Sequence, residues 1–388
     1  MTYANGRTYC DADSHVMEAP DYLTAHADSH YSHLLPRLEI DAAWFTEALG
    51  QSLANGAHCA DRVAELVATG GGIIASRKDY FALGAFNGSE RSRALDLLGF
   101  AYQAVLPSFS MQPAFYETRA VDIRYAAARA GNRAMAAFCN SDKRLLGTAL
   151  LPLDDPAASL LEVDRLISLG LRSALIPHRH CGGKSPSHAS FAPIWSRLAE
   201  AAIPILMHVG SIALPFMRAR TTDNTVHLPP EHFDGGAQPR GMICRLPSRD
   251  IESFLASMIL GGVFERHPRL QAGVMEMGAQ WVPQMMTRLD VMADTLYRAG
   301  MGKPRRKPSE QICAQLAFTP SHFENVGDLC DASDSGLFLF SSDYPHLEGG
   351  PDPIGAFENS LSGRSESERS RFYAGNFRRL FSLASGDS

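Results

Sequence analysis

The chain has 388 residues, 45% of them hydrophobic and 20% charged, with a formal net charge of −6. This is the balance of a soluble globular protein and excludes a disordered chain. The one dense basic run is the KPRRK segment at 303–307, a short surface patch, so no nucleic-acid partner is expected. No stretch reaches the 18 or more apolar residues of a membrane helix, and Met1–His15 lacks the apolar centre of a secretory leader. The seven cysteines are odd in number and contain no CxxC pair. That argues against a disulfide framework or thiolate zinc site and predicts a cytoplasmic, reducing location.

Short apolar runs alternate with helical patterns, as in repeated βα units. In chain order the predicted strands are Tyr9–Asp13, Tyr102–Leu106, Leu145–Leu151, Ser173–Ile176, Pro204–His208, Leu270–Glu276, Leu316–Thr319 and Gly336–Ser341. Helices are predicted at Glu90–Gly99, Tyr125–Cys139, Pro156–Leu169, Phe191–Ala201, Ile251–Phe264, Ala279–Arg298 and Glu324–Ala332. Asp155-Pro156 and Ser190 supply start signals for two of these, and Pro353 and Ser365 for closing helices within 353–384.

Eight strand–helix units define an α/β chain folded as a single (β/α)8 TIM barrel. Two stretches, 16–95 and 209–250, break the alternation. Without them the length is close to the roughly 200–250 residues such a barrel needs. Both follow the C-terminal end of a strand, where barrels place their active sites, so both are candidate lids or substrate walls. An open doubly wound sheet is the other option, but no GxGxxG follows the first strand.

Four residues fall at predicted strand ends: Asp13 and His15 at the first, His208 at the fifth and Asp343 after the eighth. Residues two apart on a strand point the same way, so Asp13 and His15 can face one ligand. A lone strand-end histidine is ordinarily a hydrogen-bonded structural residue. Two imidazoles and two carboxylates converging at one barrel mouth instead make an open mononuclear metal site.

The segments CDADSHVMEAPDYL (10–23), IPILMHVG (203–210), GGVFERHPRLQAGVMEMGAQWVP (261–283) and SSDYPHLEG (341–349) resemble the amidohydrolase-2 family, the decarboxylase-rich branch of the amidohydrolase superfamily. The resemblance runs from about residue 9 to 380. It implies one divalent ion per chain held by Asp13, His15, His208 and Asp343. Asp13 stands where many members have histidine, and the second carboxylate makes the donor set harder, which fits zinc or manganese. No lysine occupies the fourth strand (SALIP), so a bridging carbamylated lysine and a second metal are not expected.

The departure from the family pattern lies on the sixth strand, where family decarboxylases carry a proton-handling histidine. Aligned through Gly278, the residue here is Glu276, either a general acid/base or a carboxylate that orients a metal-bound group. Asp343, Glu276 and His208 are therefore the expected catalytic residues. Substrate contacts are expected from His178 and His180 after strand four, His322 after strand seven, and His346. Arg245, with Arg240 and Arg249, is placed to clamp a carboxylate. His267 precedes strand six and belongs to the opposite, stabilising face.

The resemblance implies a metal-dependent lyase, a non-oxidative decarboxylase of a small aromatic or unsaturated carboxylate, working as a homodimer or larger homo-oligomer. The change at Glu276 keeps open a hydrolase using a metal-activated water on a small amide, ester or C–C substrate. A non-catalytic metal-binding barrel ranks third.

Overall fold

A computed structural model describes residues 1–39, 46–212, 249–300, 302 and 304–384. Seven parallel strands form one curled sheet in sequential order: β1 Cys10–Val16, β2 Tyr102–Pro107, β3 Leu145–Leu150, β4 Ser173–Leu175, β5 Ile205–His208, β6 Ala272–Met275 and β7 Leu316–Phe318. The strands after β1 are almost wholly buried. That explains why they read as continuous apolar runs rather than alternating ones, since a parallel sheet is covered on both faces.

The eighth predicted strand, Gly336–Ser341, is a correction. Within it only Phe338 makes an isolated parallel bridge, to Phe318, and beyond it Tyr344 bridges Ser14, so no strand forms there. It nevertheless joins the two sheet edges. Leu339 donates to Phe318 O on β7, while Ala12 and His15 on β1 donate to Phe340 O and Tyr344 O. β1 itself runs three residues beyond its predicted end at Asp13, with a register shift between Asp11 and Ser14. A bulge of this kind re-aims side chains near a site.

The expected helices form at Gly88–Leu98, Val121–Cys139, Pro156–Ser168, Ala192–Glu200, Val282–Arg298 and Val326–Ala332. Asp155 caps its helix through the backbone N–H groups of Ala157 and Ala158, as its position before Pro156 predicts. The predicted Ile251–Phe264 helix is instead two, Arg249–Leu260 and Val263–Arg266. Gly262 breaks it by adopting φ +73°, a left-handed conformation that glycine reaches without strain. Ser190 does not cap the following helix; His188 caps a short 3-10 turn ahead of it. Ser365 forms a full capping box with Glu368, and Pro353 opens its helix.

The 16–95 stretch carries helices Glu47–Asn55 and Ala60–Ala68 in addition to Gly88–Leu98. Its Ile73, Ile74, Tyr80 and Leu83 share one continuous core with residues from the barrel strands and the surrounding helices. It is thus fastened to the barrel by burial. Most of 209–250 lies outside the described residues, and so do Arg240 and Arg245.

Candidate active site

The four residues expected as ligands come together at one end of the sheet. His15 Nε2 lies 3.2 Å from Asp13 Oδ1 and 3.5 Å from Asp343 Oδ1, and His208 Nε2 lies 3.5 Å from Asp13 Oδ1. Glu276 joins them, its Oε2 3.2 Å from His208 Nε2. All five side chains are buried or nearly so. Ligand atoms of Asp13, His15, His208 and Glu276 fall within 4.8 Å of one another, as do those of His15, Asp343 and His346.

The backbone sets the direction of each imidazole. His15 Nδ1 lies 3.2 Å from Pro107 O, and His208 Nδ1 lies 2.6 Å from Val209 O. A carbonyl accepts only, so both Nδ1 atoms carry the proton and both Nε2 atoms are left to offer a lone pair. Asp13 Oδ1, His15 Nε2 and His208 Nε2 are fully buried with no hydrogen bond of acceptable geometry. Buried polar atoms normally find partners. Between these atoms stands either a proton, which, against the effect of burial, Asp13 and Glu276 favour on His208, or a metal ion, and this donor set fits one divalent ion.

Glu276 and Asp343 have φ of 53° and 54°, a region that side chains other than glycine seldom occupy. Glu276 N–H donates to Thr319 Oγ1 at 2.9 Å, and Asp343 N–H donates to Asp13 O at 2.8 Å. Surrounding contacts thus hold two acidic residues in uncommon conformations at the ends of β6 and of the edge-joining segment, a pattern that clusters at functional sites.

Burial and then the His346 charge push the His15 imidazole down to about 4. Burial also acts to raise the Asp13 carboxyl, but His208 and His15 outweigh it and hold Asp13 low. Asp343 moves the other way, raised by burial and by the charge of Glu276. A divalent cation at this point favours the carboxylate form of both.

The remaining expected site residues separate. His178 is buried, with Nδ1 2.9 Å from Ser211 Oγ, and burial followed by the charge of His208 pushes it down to about 3. His346 stacks on His15 at 4.0 Å and places Nδ1 3.3 Å from Asp343 Oδ1. His322 lines a cleft with Asp13, Glu276, Asp343, Glu348 and Phe357. His180 is exposed and joins neither ligand cluster, and Arg249 is exposed at the start of its helix. His267 pairs with Ser196 ahead of β6, away from these groups.

Sequence reasoning passed over several residues from or against 16–95. Glu18 accepts from Phe109 N–H, Ser110 N–H and Ser110 Oγ; its signal was its place three residues after His15. Arg91 is fully buried, with Nη2 2.6 Å from His15 O and Nε 2.8 Å from Gly84 O. Lys78 is buried, with Nζ 5.3 Å from the centre of the Tyr344 ring. No local pattern marks the last two.

A curled parallel sheet with acidic and imidazole groups gathered at the strand ends defines an α/β metal-site scaffold. The Amidohydro_2 (amidohydrolase) family model matches residues 85–383, and the chain belongs to that family. It is 31% identical over 231 residues to decarboxylase orsB of Emericella nidulans, a match covering 56% of this chain and 65% of that protein. The chain therefore spans less than two thirds of that relative. It is 26% identical over 271 residues to gamma-resorcylate decarboxylase of a Rhizobium species, covering 66% and 76% of the two chains.

Among solved structures, an amidohydrolase from Mycobacterium avium subsp. paratuberculosis superposes with a TM-score of 0.72 at 22% identity, covering 99% of this chain and 100% of that one. The 5-carboxyvanillate decarboxylase of Novosphingobium aromaticivorans, solved with manganese and 4-hydroxy-3-methoxy-5-nitrobenzoic acid, superposes with a TM-score of 0.62 at 18% identity, covering 99% and 100%. Both establish the fold.

Proposed function

We propose that this protein is a metal-dependent non-oxidative decarboxylase of a small aromatic carboxylate. The observation that carries the proposal is the convergence of Asp13 Oδ1, His15 Nε2 and His208 Nε2, buried without hydrogen bonds and with both Nδ1 protons already committed to carbonyls. Support for the reaction comes from the relatives, which are decarboxylases by name, and support for manganese from the metal in the superposed decarboxylase. One zinc or manganese ion would be held by Asp13, His15, His208 and Asp343, and Glu276 stands close enough to add a further oxygen.

When bound, the ion supplies positive charge for the substrate's carboxylate and an adjoining hydroxyl. Among the described residues lining the cleft there is no lysine or arginine, so the protein itself brings little positive charge to an anionic substrate there. Phe357 offers an apolar wall, and His322 and Ser321 offer polar contacts. His178, paired with Ser211, is within electrostatic reach of His208, and His346 stacks on His15. As the ring–carboxylate bond breaks, its electron pair stays on the ring carbon, which takes a proton. Glu276, outside the four proposed ligands and 3.2 Å from His208 Nε2, is the group placed to supply it. Arg245, outside the described residues, keeps its proposed role at the substrate carboxylate.

The finer architecture belongs to the same reading: a single domain over 1–388, an eight-unit (β/α)8 barrel closed through 336–344, and 16–95 and 209–250 as the walls of its mouth. The edge-joining hydrogen bonds support the closure. The family resemblance supports a homodimer or larger assembly. The free thiols at Cys10, Cys59, Cys139, Cys181, Cys313 and Cys330 support a reducing, cytoplasmic location.

One observation favours a second reading, hydrolysis of an amide, ester or C–C bond: a carboxylate, Glu276, occupies the place of the family's proton-handling histidine. The test is metal reconstitution followed by product analysis. Chelator-stripped protein should regain one manganese or zinc per chain and release CO2 from hydroxylated benzoates. Turnover of esters or amides without CO2 release selects the hydrolase.

A further inference from the structure

Ser108 follows β2 and lies half-buried under the site. Its Oγ sits 2.8 Å from Val16 O and 2.9 Å from His346 Nε2. On the other side of that ring, His346 Nδ1 lies 3.3 Å from Asp343 Oδ1. The order Asp343–His346–Ser108 has the look of a nucleophilic triad, but the hydroxyl proton decides otherwise. A serine hydroxyl has one proton, and Val16 O can only accept. That proton is therefore spent on the carbonyl, so Ser108 accepts from His346 Nε2–H; the Asp343 carboxylate on the other side can only accept as well, so Nδ1 also carries a proton and donates to Asp343 Oδ1. A hydroxyl so used is not activated as a nucleophile, because activation requires the imidazole to take its proton.

We infer that Ser108 is a positioning residue of the metal centre, fixing the His346 ring so that its Nδ1 holds Asp343 in ligating orientation. The inference rests on the proposed metal site. The ring has two restraints besides Asp343: the Ser108 hydrogen bond in its plane, and the stack on His15 at 4.0 Å and 20° across its face. The stack fixes the plane but leaves rotation within it. The Ser108 bond, itself anchored on Val16 O, sets the in-plane angle at which Nδ1–H meets Asp343. Val16 O, which orients the serine, belongs to β1, the strand that carries Asp13 and His15. The chain Val16–Ser108–His346–Asp343 therefore ties a ligand from the far end of the sequence to the strand holding two others. Outer partners of this kind tune metal affinity by about 10–100-fold.

The experiment is manganese and zinc affinity of the full-length protein by chelator competition, for wild type, Ser108→Ala, Ser108→Thr, His346→Gln and the double variant Ser108→Ala/His346→Gln. Ser108→Ala should weaken binding by about 10-fold or more, and Ser108→Thr, which keeps the hydroxyl, should restore most of it. The double variant should bind no more weakly than His346→Gln alone, because both changes cut one chain of contacts. Ser108→Cys, close in size and a poor donor, replaces the alanine variant if that one does not fold. Affinity within twofold of wild type in Ser108→Ala or Ser108→Cys, or additive losses in the double variant, overturns the inference. A wild-type chain that binds no metal overturns the metal site itself and is distinguishable from either.

Discussion

His208 Nε2 stands 3.2 Å from Glu276 Oε2 while His208 Nδ1 is tied to Val209 O at 2.6 Å. The ring therefore turns Nε2 toward two carboxylates, Asp13 and Glu276, in a buried pocket. The same geometry decides what each substitution should do.

Replacing His208 or Asp343 by alanine removes a direct donor. Since outer partners alone are worth about 10–100-fold, each change should cost at least about 100-fold in metal affinity. Metal content after gel filtration, read by elemental analysis, checks this. A fully loaded His208→Ala protein contradicts the ligand assignment.

Glu276→Gln separates two roles. As a metal-facing carboxylate, Glu276 contributes affinity, so the variant should bind metal roughly 10–100-fold more weakly and regain much of its rate in excess metal. Metal affinity held at wild-type level with turnover down about 10²–10⁴-fold marks Glu276 as the proton donor instead. Titration of rate against metal concentration distinguishes them.

His178 gives a pH prediction that rests first on burial and second on the neighbouring His208 charge. Burial pushes its imidazole down to about 3 in the folded chain, below its ordinary 6.5. Below pH 6.5 the unfolded chain takes up a proton that the folded chain refuses, so stability falls as pH drops from 6.5 toward 3. His178→Gln, which can keep the contact with Ser211, should make that fall shallower by roughly one proton. Urea unfolding at several pH values measures the slope, and an unchanged slope contradicts the burial argument.

Arg91 tests whether 16–95 is a detachable cover. Its guanidinium serves His15 O and Gly84 O, so Arg91→Leu leaves buried carbonyls without donors and should cost about 2–4 kcal/mol. Loss of metal affinity should accompany it, because His15 is a proposed ligand. Wild-type stability in denaturant contradicts the view that the insertion is built into the site.

What the sequence made legible follows from how local each signal is. Asp13, His15, His208 and Asp343 sit beside apolar runs whose ends can be read directly, and the structure gathers all four. Asp155 and Ser365 acted as caps because capping is a matter of three or four residues. The failures involve distant partners. Gly336–Ser341 lacks a continuous ladder because it meets β7 only at a single bridge, and the bridge to β1 lies beyond it at Tyr344. Arg91, Lys78 and Ser108 became part of the site through contacts with residues 76 or more positions away, or through a ring face. His180 has the right spacing after β4, but its side chain turns outward.

The most direct test of the account is CO2 release from a panel of hydroxylated benzoates by one protein preparation, measured after chelator treatment and again after adding back manganese. The account predicts no release from the stripped protein and restored release at one ion per chain. Release that persists without metal, or a fully loaded protein that decarboxylates none of the panel, contradicts it.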